Sequence, residues 1–164
     1  GSGMDDDRKS AVGTLFVSSL LMSIIFGLMF YSWGGALLEF LNAPALEEAT
    51  EYVQICSCGM AFIFGYNALS AILRAAGNSK IPMRIIMLST AVNIVLDYVF
   101  VALMEMGVAG AALGTVIAQG VSFITALIYT SVKGSDYGFY IKALKIKGEK
   151  LIEILRLGFP IALQ

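Results

Sequence analysis

From Met106 to Val132 the chain carries no charged residue, and from Ile85 to Met104 it carries only Asp97. Each run is long enough to cross about 30 Å of hydrocarbon, which takes about 20 apolar residues. They adjoin at Glu105, so residues 81–132 read as a helical hairpin with both arms in the membrane. Lipid offers no hydrogen-bond partners to backbone N–H and C=O groups, so such arms must be helices. One carboxyl group then falls at membrane depth. An ionisable group is costly there, which makes it a candidate for function.

The hairpin has a simple arithmetic. With the turn centred on Met106, Asp97 lies nine residues before it and Thr115 nine after, while Asn93 and Gln119 are each thirteen away. Equal rise per residue puts each pair at matched depth. Thr90, Asn93 and Asp97 share one helical face of the first arm, and Thr115, Gln119 and Ser122 one face of the second. Two polar stripes are expected to face each other or a shared cavity.

Two further runs lack charge, Ser10 to Leu38 and Tyr52 to Leu73. Four spans follow, and with 58% hydrophobic residues the chain reads as an all-α, multi-span helical membrane bundle. All eleven Lys and Arg fall in three places: Arg8 and Lys9; Arg74, Lys80 and Arg84; and 133–156. These lie on one side of a four-span chain. The opposite loops hold Glu47, Glu48, Glu51 and Glu105, so the basic face is expected in the cytoplasm. A net charge of -1 gives no argument for nucleic acid as a partner. There is no His, no GxSxG and no phosphate-binding glycine loop, so no enzyme and no cofactor are expected.

Along the chain, Gly1 to Gly3 read as an expression scar, and 4–10 as a solvated polar lead. Helix 11–40 follows, with Tyr31 and Trp33 suited to an interfacial belt. Asn42, Ala43 and Pro44 break it, and Glu47, Glu48 and Glu51 complement the opening dipole of the second span. Cys56 and Cys58 are expected as buried packing residues, since no metal-ligand set accompanies them. Asn67 lies well inside the second span, with ligand binding and interhelical hydrogen bonding both open to it. Gly77, Asn78 and Ser79 before Pro82 stop one helix and start the next. Gly110 and Gly114, with Ala118, form a small-residue row that lets a neighbouring helix come close. Residues 133–150 read as a polar, basic linker along the membrane surface, and 151–164 as the start of a further helix, cut short.

Chemically, Asp97 has no Lys or Arg in its own arm or the facing one. A carboxylate in hydrocarbon needs a proton or a cation to offset desolvation. It could take up H+, or hold Na+ with oxygens from Asn93 and Thr115, which suit a hard cation. The other reading is a neutral acid that bonds two helices together.

Leu73 to Met83 reads LRAAGNSKIPM, Asn93 to Val101 NIVLDYVFV, and Gly107 to Gln119 GVAGAALGTVIAQ. In this order and spacing they resemble the multidrug and toxic compound extrusion (MATE) transporters, twelve-helix antiporters with two six-helix lobes. Leu157 to Gln164 is similar to the start of the second lobe. The resemblance implies that 11–132 is a four-helix part of the first lobe, corresponding to family helices three to six, and 133–150 the interlobe linker. It implies a bacterial inner-membrane protein that exports small cationic or amphipathic molecules against H+ or Na+. Asp97, Asn93 and Thr115, with Asn67 and Gln119, would then line the first-lobe cation and substrate cavity. The rest of the parent transporter would be a partner alongside the bilayer, and the isolated chain is not expected to transport. Faces meant for absent helices could drive non-native self-association. Two alternatives stand beside this: a lipid-linked oligosaccharide flippase, disfavoured by the lack of basic residues inside the spans, and a non-transporting membrane scaffold subunit.

Overall fold

The structure is a computed structural model that describes residues 2–133, 137–140, 148, 152 and 156, with side chains from residue 6 onward. Its regular elements are all helical: α1 (Ser2–Phe40), α2 (Leu46–Cys58), α3 (Met60–Ala75), α4 (Lys80–Asp97), a π-helical segment (Tyr98–Leu103) and α5 (Gly107–Val132). The fold is all-α. The stretches Asp6–Phe40, Lys80–Leu103 and Gly107–Val132 are each long and apolar enough to cross a membrane, and α2 with α3 meets the same measure only as a bent pair, a fourth span where the two are counted as one.

α5 occupies the middle. It packs on α4 along one side and on α2 and α3 along the other, and α1 covers the far side of α2 and α3. α4 touches α3 only sparsely. The polar lead continues α1 as helix instead of forming a tail, although Asp6, Asp7 and Arg8 are exposed, as expected of it.

Turn chemistry follows the sequence closely. After α1 the chain reverses through Asn42 and Ala45, both left-handed, around Pro44, and α2 opens with Glu47 and Glu48 in its first turn. Past α3, Gly77 takes a φ of +81°, and the Asn78 N–H returns to the Leu73 carbonyl at 2.9 Å, a glycine-terminated helix end. The Asn78 side chain then accepts from the Ile81 N–H at 3.3 Å and so caps α4. The hairpin turn lies where expected, with left-handed Glu105 and Gly107 either side of Met106.

Three features differ from expectation. The second span is not straight: it bends by 52° between α2 and α3, at Gly59. A Cβ on Gly59 would stand 2.8 Å from Val116 Cγ2, so the missing side chain lets α5 enter the bend. The first hairpin arm is not α-helical to its end, because winding changes after Asp97. The run YVFVAL is apolar throughout, so a change of pitch there leaves no mark in the periodicity. The cysteines are not a buried pair, since Cys58 is exposed and Cys56 half-buried.

The buried core gathers at the basic end, where Phe16, Tyr66, Leu69, Leu73, Ile85 and Ala126 meet. Residues from beyond α5 complete it. Phe139 is only 1% exposed and stands edge-on to Phe16 at 5.2 Å, and Tyr137 is buried beside Tyr129. Of the stretch expected to lie along the membrane surface, 137–140 therefore folds into the bundle. Residues 134–136, 141–147 and 149–150 of the expected linker, and most of 151–164, lie outside the described residues.

Candidate functional site

The site is built where α4 crosses α5. Asn93 and Asp97 are one helical turn apart, and Asn93 Nδ2 donates to Asp97 Oδ1 at 3.3 Å. That distance is at the long end for such a bond, so the amide orients the carboxylate without gripping it. Both side chains are half-buried. Beneath them lies Gly114: a Cβ there would be 2.5 Å from Asp97 Oδ1 and 3.6 Å from Asn93 Nδ2. The carboxylate thus rests on bare backbone of the facing helix.

The glycine row shapes this contact. Gly110, one turn from Gly114, faces the π-helical segment, and a Cβ on it would stand 3.0 Å from Phe100 Cβ. The neighbour that the GxxxG row admits is therefore α4 with its π extension, carrying Asp97 over one glycine and Phe100 over the other. π-helical winding is rare and concentrates at functional sites. Here it begins at the residue after Asp97.

The remaining candidates are distributed as follows. Thr115 is half-buried next to Gly114, but its hydroxyl donates to the Ala111 carbonyl at 3.0 Å, within its own helix. Asp97 touches residue 114, one residue from the position that equal depth expects, and Asn93 Nδ2 lies over the same glycine. Gln119 is half-buried one turn further along α5. Asn67 is exposed on α3, the helix that barely meets α4, so it stands apart from the Asn93 and Asp97 pair. Thr90 is exposed. Its neighbour Ser89 makes the crossing contact instead, donating to the Ala118 carbonyl at 3.0 Å. Thr90 is in phase with Asn93 and Asp97, whereas Ser89 is one step off that face. Among the described residues no cluster of acidic residues and cysteines could hold a resident metal ion.

The profile of one family, MatE, matches residues 1–99. The chain belongs to the MatE family. This MatE chain is 37% identical over 166 residues to the probable multidrug resistance protein YpnP of Bacillus subtilis, covering 99% of this chain and 37% of that protein. It is 28% identical over 145 residues to the multidrug export protein MepA of Staphylococcus haemolyticus, covering 87% of this chain and 32% of that one. Among solved structures it is similar to the inward-facing conformation of a multidrug resistance MATE family transporter of the MOP superfamily. That match has a TM-score of 0.84 and 27% identity, over 95% of this chain and 36% of the other. The MatE chain spans about 37% of the length of the relative from Bacillus subtilis. Apolar helices and family together mark a multi-pass membrane protein, and the similar proteins named above are transporters rather than enzymes.

Proposed function

We propose that residues 11–132 form part of the first lobe of a cation-coupled multidrug efflux antiporter, with 133–150 as interlobe linker and 151–164 opening the second lobe. The observation that carries this is the Asn93 and Asp97 pair seated on Gly114 inside an apolar hairpin. A carboxylate held there by one long amide bond has spare oxygen lone pairs and no fixed cation beside it in either arm. Binding H+ or Na+ relieves its desolvation, and releasing the ion restores the charge. A lobe that packs differently in the two states has its equilibrium biased by that event, which is the requirement for coupling. Thr115 follows Gly114 in α5 and its hydroxyl, donating to the Ala111 carbonyl, keeps an acceptor lone pair that would complete a Na+ shell, with Gln119 extending the polar lining. Asn67 serves the wider substrate cavity.

The substrates in this reading are small molecules, cationic or amphipathic; the relatives' names, multidrug resistance and multidrug export, support the small-molecule part. The basic ends face the cytoplasm of a bacterial inner membrane. No cofactor is involved beyond the coupling ion. The isolated chain does not transport, and its unpaired faces promote self-association. The test is Asp97→Asn in the full-length parent: efflux driven by an ion gradient is lost while membrane abundance is kept. Undiminished efflux removes Asp97 from the mechanism.

A further inference from the structure

Between α3 and α4 the loop Ala76 to Ser79 is exposed except at Asn78, which is half-buried. The helix that follows makes use of it. The first N–H groups of a helix have no partner inside it, and Ser79, the residue before α4, makes no side-chain bond to them. Asn78 supplies one, its Oδ1 accepting from the Ile81 N–H at 3.3 Å. A backbone N–H can only donate, so the oxygen of this amide must face α4 and its nitrogen must face away.

What the nitrogen meets belongs to neither helix. Asn78 Nδ2 donates to the Tyr137 hydroxyl at 3.1 Å, across 59 residues of sequence. Tyr137 is buried with its ring centroid 6.1 Å from that of Tyr129 on α5, and two residues on Phe139 is wedged against Phe16 of α1. The bundle therefore holds the phenol, and the phenol holds Asn78. α4 meets α3 only sparsely at its other contacts, with the Tyr66 hydroxyl donating to the Pro82 carbonyl at 2.9 Å as a tie between them.

We infer that Asn78 is a positioning residue, the joint through which residues 137–140 hold the first turn of α4. Both ends of one planar amide are engaged, one by the helix and one by the segment after α5. Moving Tyr137 turns the amide, and turning the amide withdraws the acceptor from Ile81. The sequence runs on from Tyr140 to Gln164, so a displacement of what lies downstream reaches the start of the Asp97 helix by this route. In the transport reading, this is how the interlobe linker biases the helix of the ion site. The joint itself does not depend on Asp97 binding an ion.

The test is hydrogen–deuterium exchange of the chain in detergent, read at single amides by mass spectrometry with fragmentation. Tyr137→Phe keeps the ring in its packing and removes the hydroxyl alone. It should speed exchange at the Ile81 amide about five-fold, the worth of one hydrogen bond. Asn78→Ser leaves a hydroxyl that can still cap Ile81 but is too short to meet Tyr137. In that background Tyr137→Phe should change nothing at Ile81. Tyr140→Phe should leave Ile81 as it is, and residues 50–53 of α2 should exchange alike in every variant. Circular dichroism checks that each variant keeps its helices. Unchanged exchange at Ile81 in Tyr137→Phe would overturn the inference and leave Asn78 a local cap. An equal rise with and without Asn78 would overturn it in favour of another path, and an equal rise at 50–53 in favour of general loosening. The efflux of Asp97→Asn bears on the ion site and leaves this measurement untouched.

Discussion

Asp97 on α4 and Gly114 on α5 meet with no room between them for a side chain, since a Cβ on residue 114 would lie 2.5 Å from Asp97 Oδ1. The carboxylate is thus positioned from two directions. Asn93 orients it along its own helix, and the absence of a side chain opposite lets it sit between the helices. A glycine read from sequence as a helix-packing device is also the floor of the candidate ion site.

The first prediction follows from that floor. Gly114→Ala must push either the carboxylate or the whole of α4 outward, and overpacking of this kind costs about 1–3 kcal/mol. Thermal unfolding in detergent should show the loss. In the full-length parent, ion-coupled efflux should fall with it, and Gly120→Ala should be milder, because its Cβ would meet Phe62 only at 3.6 Å.

The bend at Gly59 gives a second. A side chain there collides with Val116, whose Cγ2 is 2.8 Å from the added Cβ. Gly59→Ala should destabilise the chain, and Val116→Ala in the same chain should recover part of the loss. A double-mutant cycle should give a coupling of about 0.5–3 kcal/mol. Purely additive losses would mean that Gly59 is needed for the bend alone and not for the approach of α5.

A third concerns the aromatic that closes the basic end. Phe139 is buried against Phe16, and truncating a buried Phe to Ala costs about 3–5 kcal/mol. Phe139→Ala should lower the unfolding temperature well beyond Tyr140→Ala, whose ring is 41% exposed. Equal effects of the two would contradict the packing described.

The fourth is a pH effect. Hydrogen bonding with Tyr129 foremost raises the Tyr137 phenol above its ordinary value of 10.0, while Asn78 Nδ2, donating to its oxygen at 3.1 Å, acts the other way. A phenol whose folded pKa is raised favours the folded state fully below its unfolded pKa. That contribution is lost as pH rises through the unfolded and then the folded value. Stability should therefore decline above about pH 10, by less in Tyr137→Phe than in the parent chain.

Charge spacing made much of the fold readable. Runs without Lys, Arg, Asp or Glu marked the spans, and Pro44, Gly77 and the Glu105 to Gly107 corner marked the turns. Asn93 and Asp97 were legible as partners because their spacing is local to one helix. What lay between helices was harder. Counting from the turn sets Thr115 level with Asp97 but carries no trace of the π winding or of the bond that Thr115 makes to Ala111. Spacing alone marks Thr90 and not Ser89, because crossing contacts depend on rotation of one helix against another. The 137–140 segment was hidden among glycines and lysines, whose polarity suggests water while two aromatics between them are buried.

The burial of Tyr137 and Phe139 moves the practical edge of the helical unit. A chain trimmed at Val132, where α5 ends, would lose the stopper from its own basic end and bare Phe16, Leu69 and Leu73 to solvent. One carried through Tyr140 keeps that end plugged. Anything tethered downstream therefore pulls first on an aromatic wedge in the bundle, and only through it on α5.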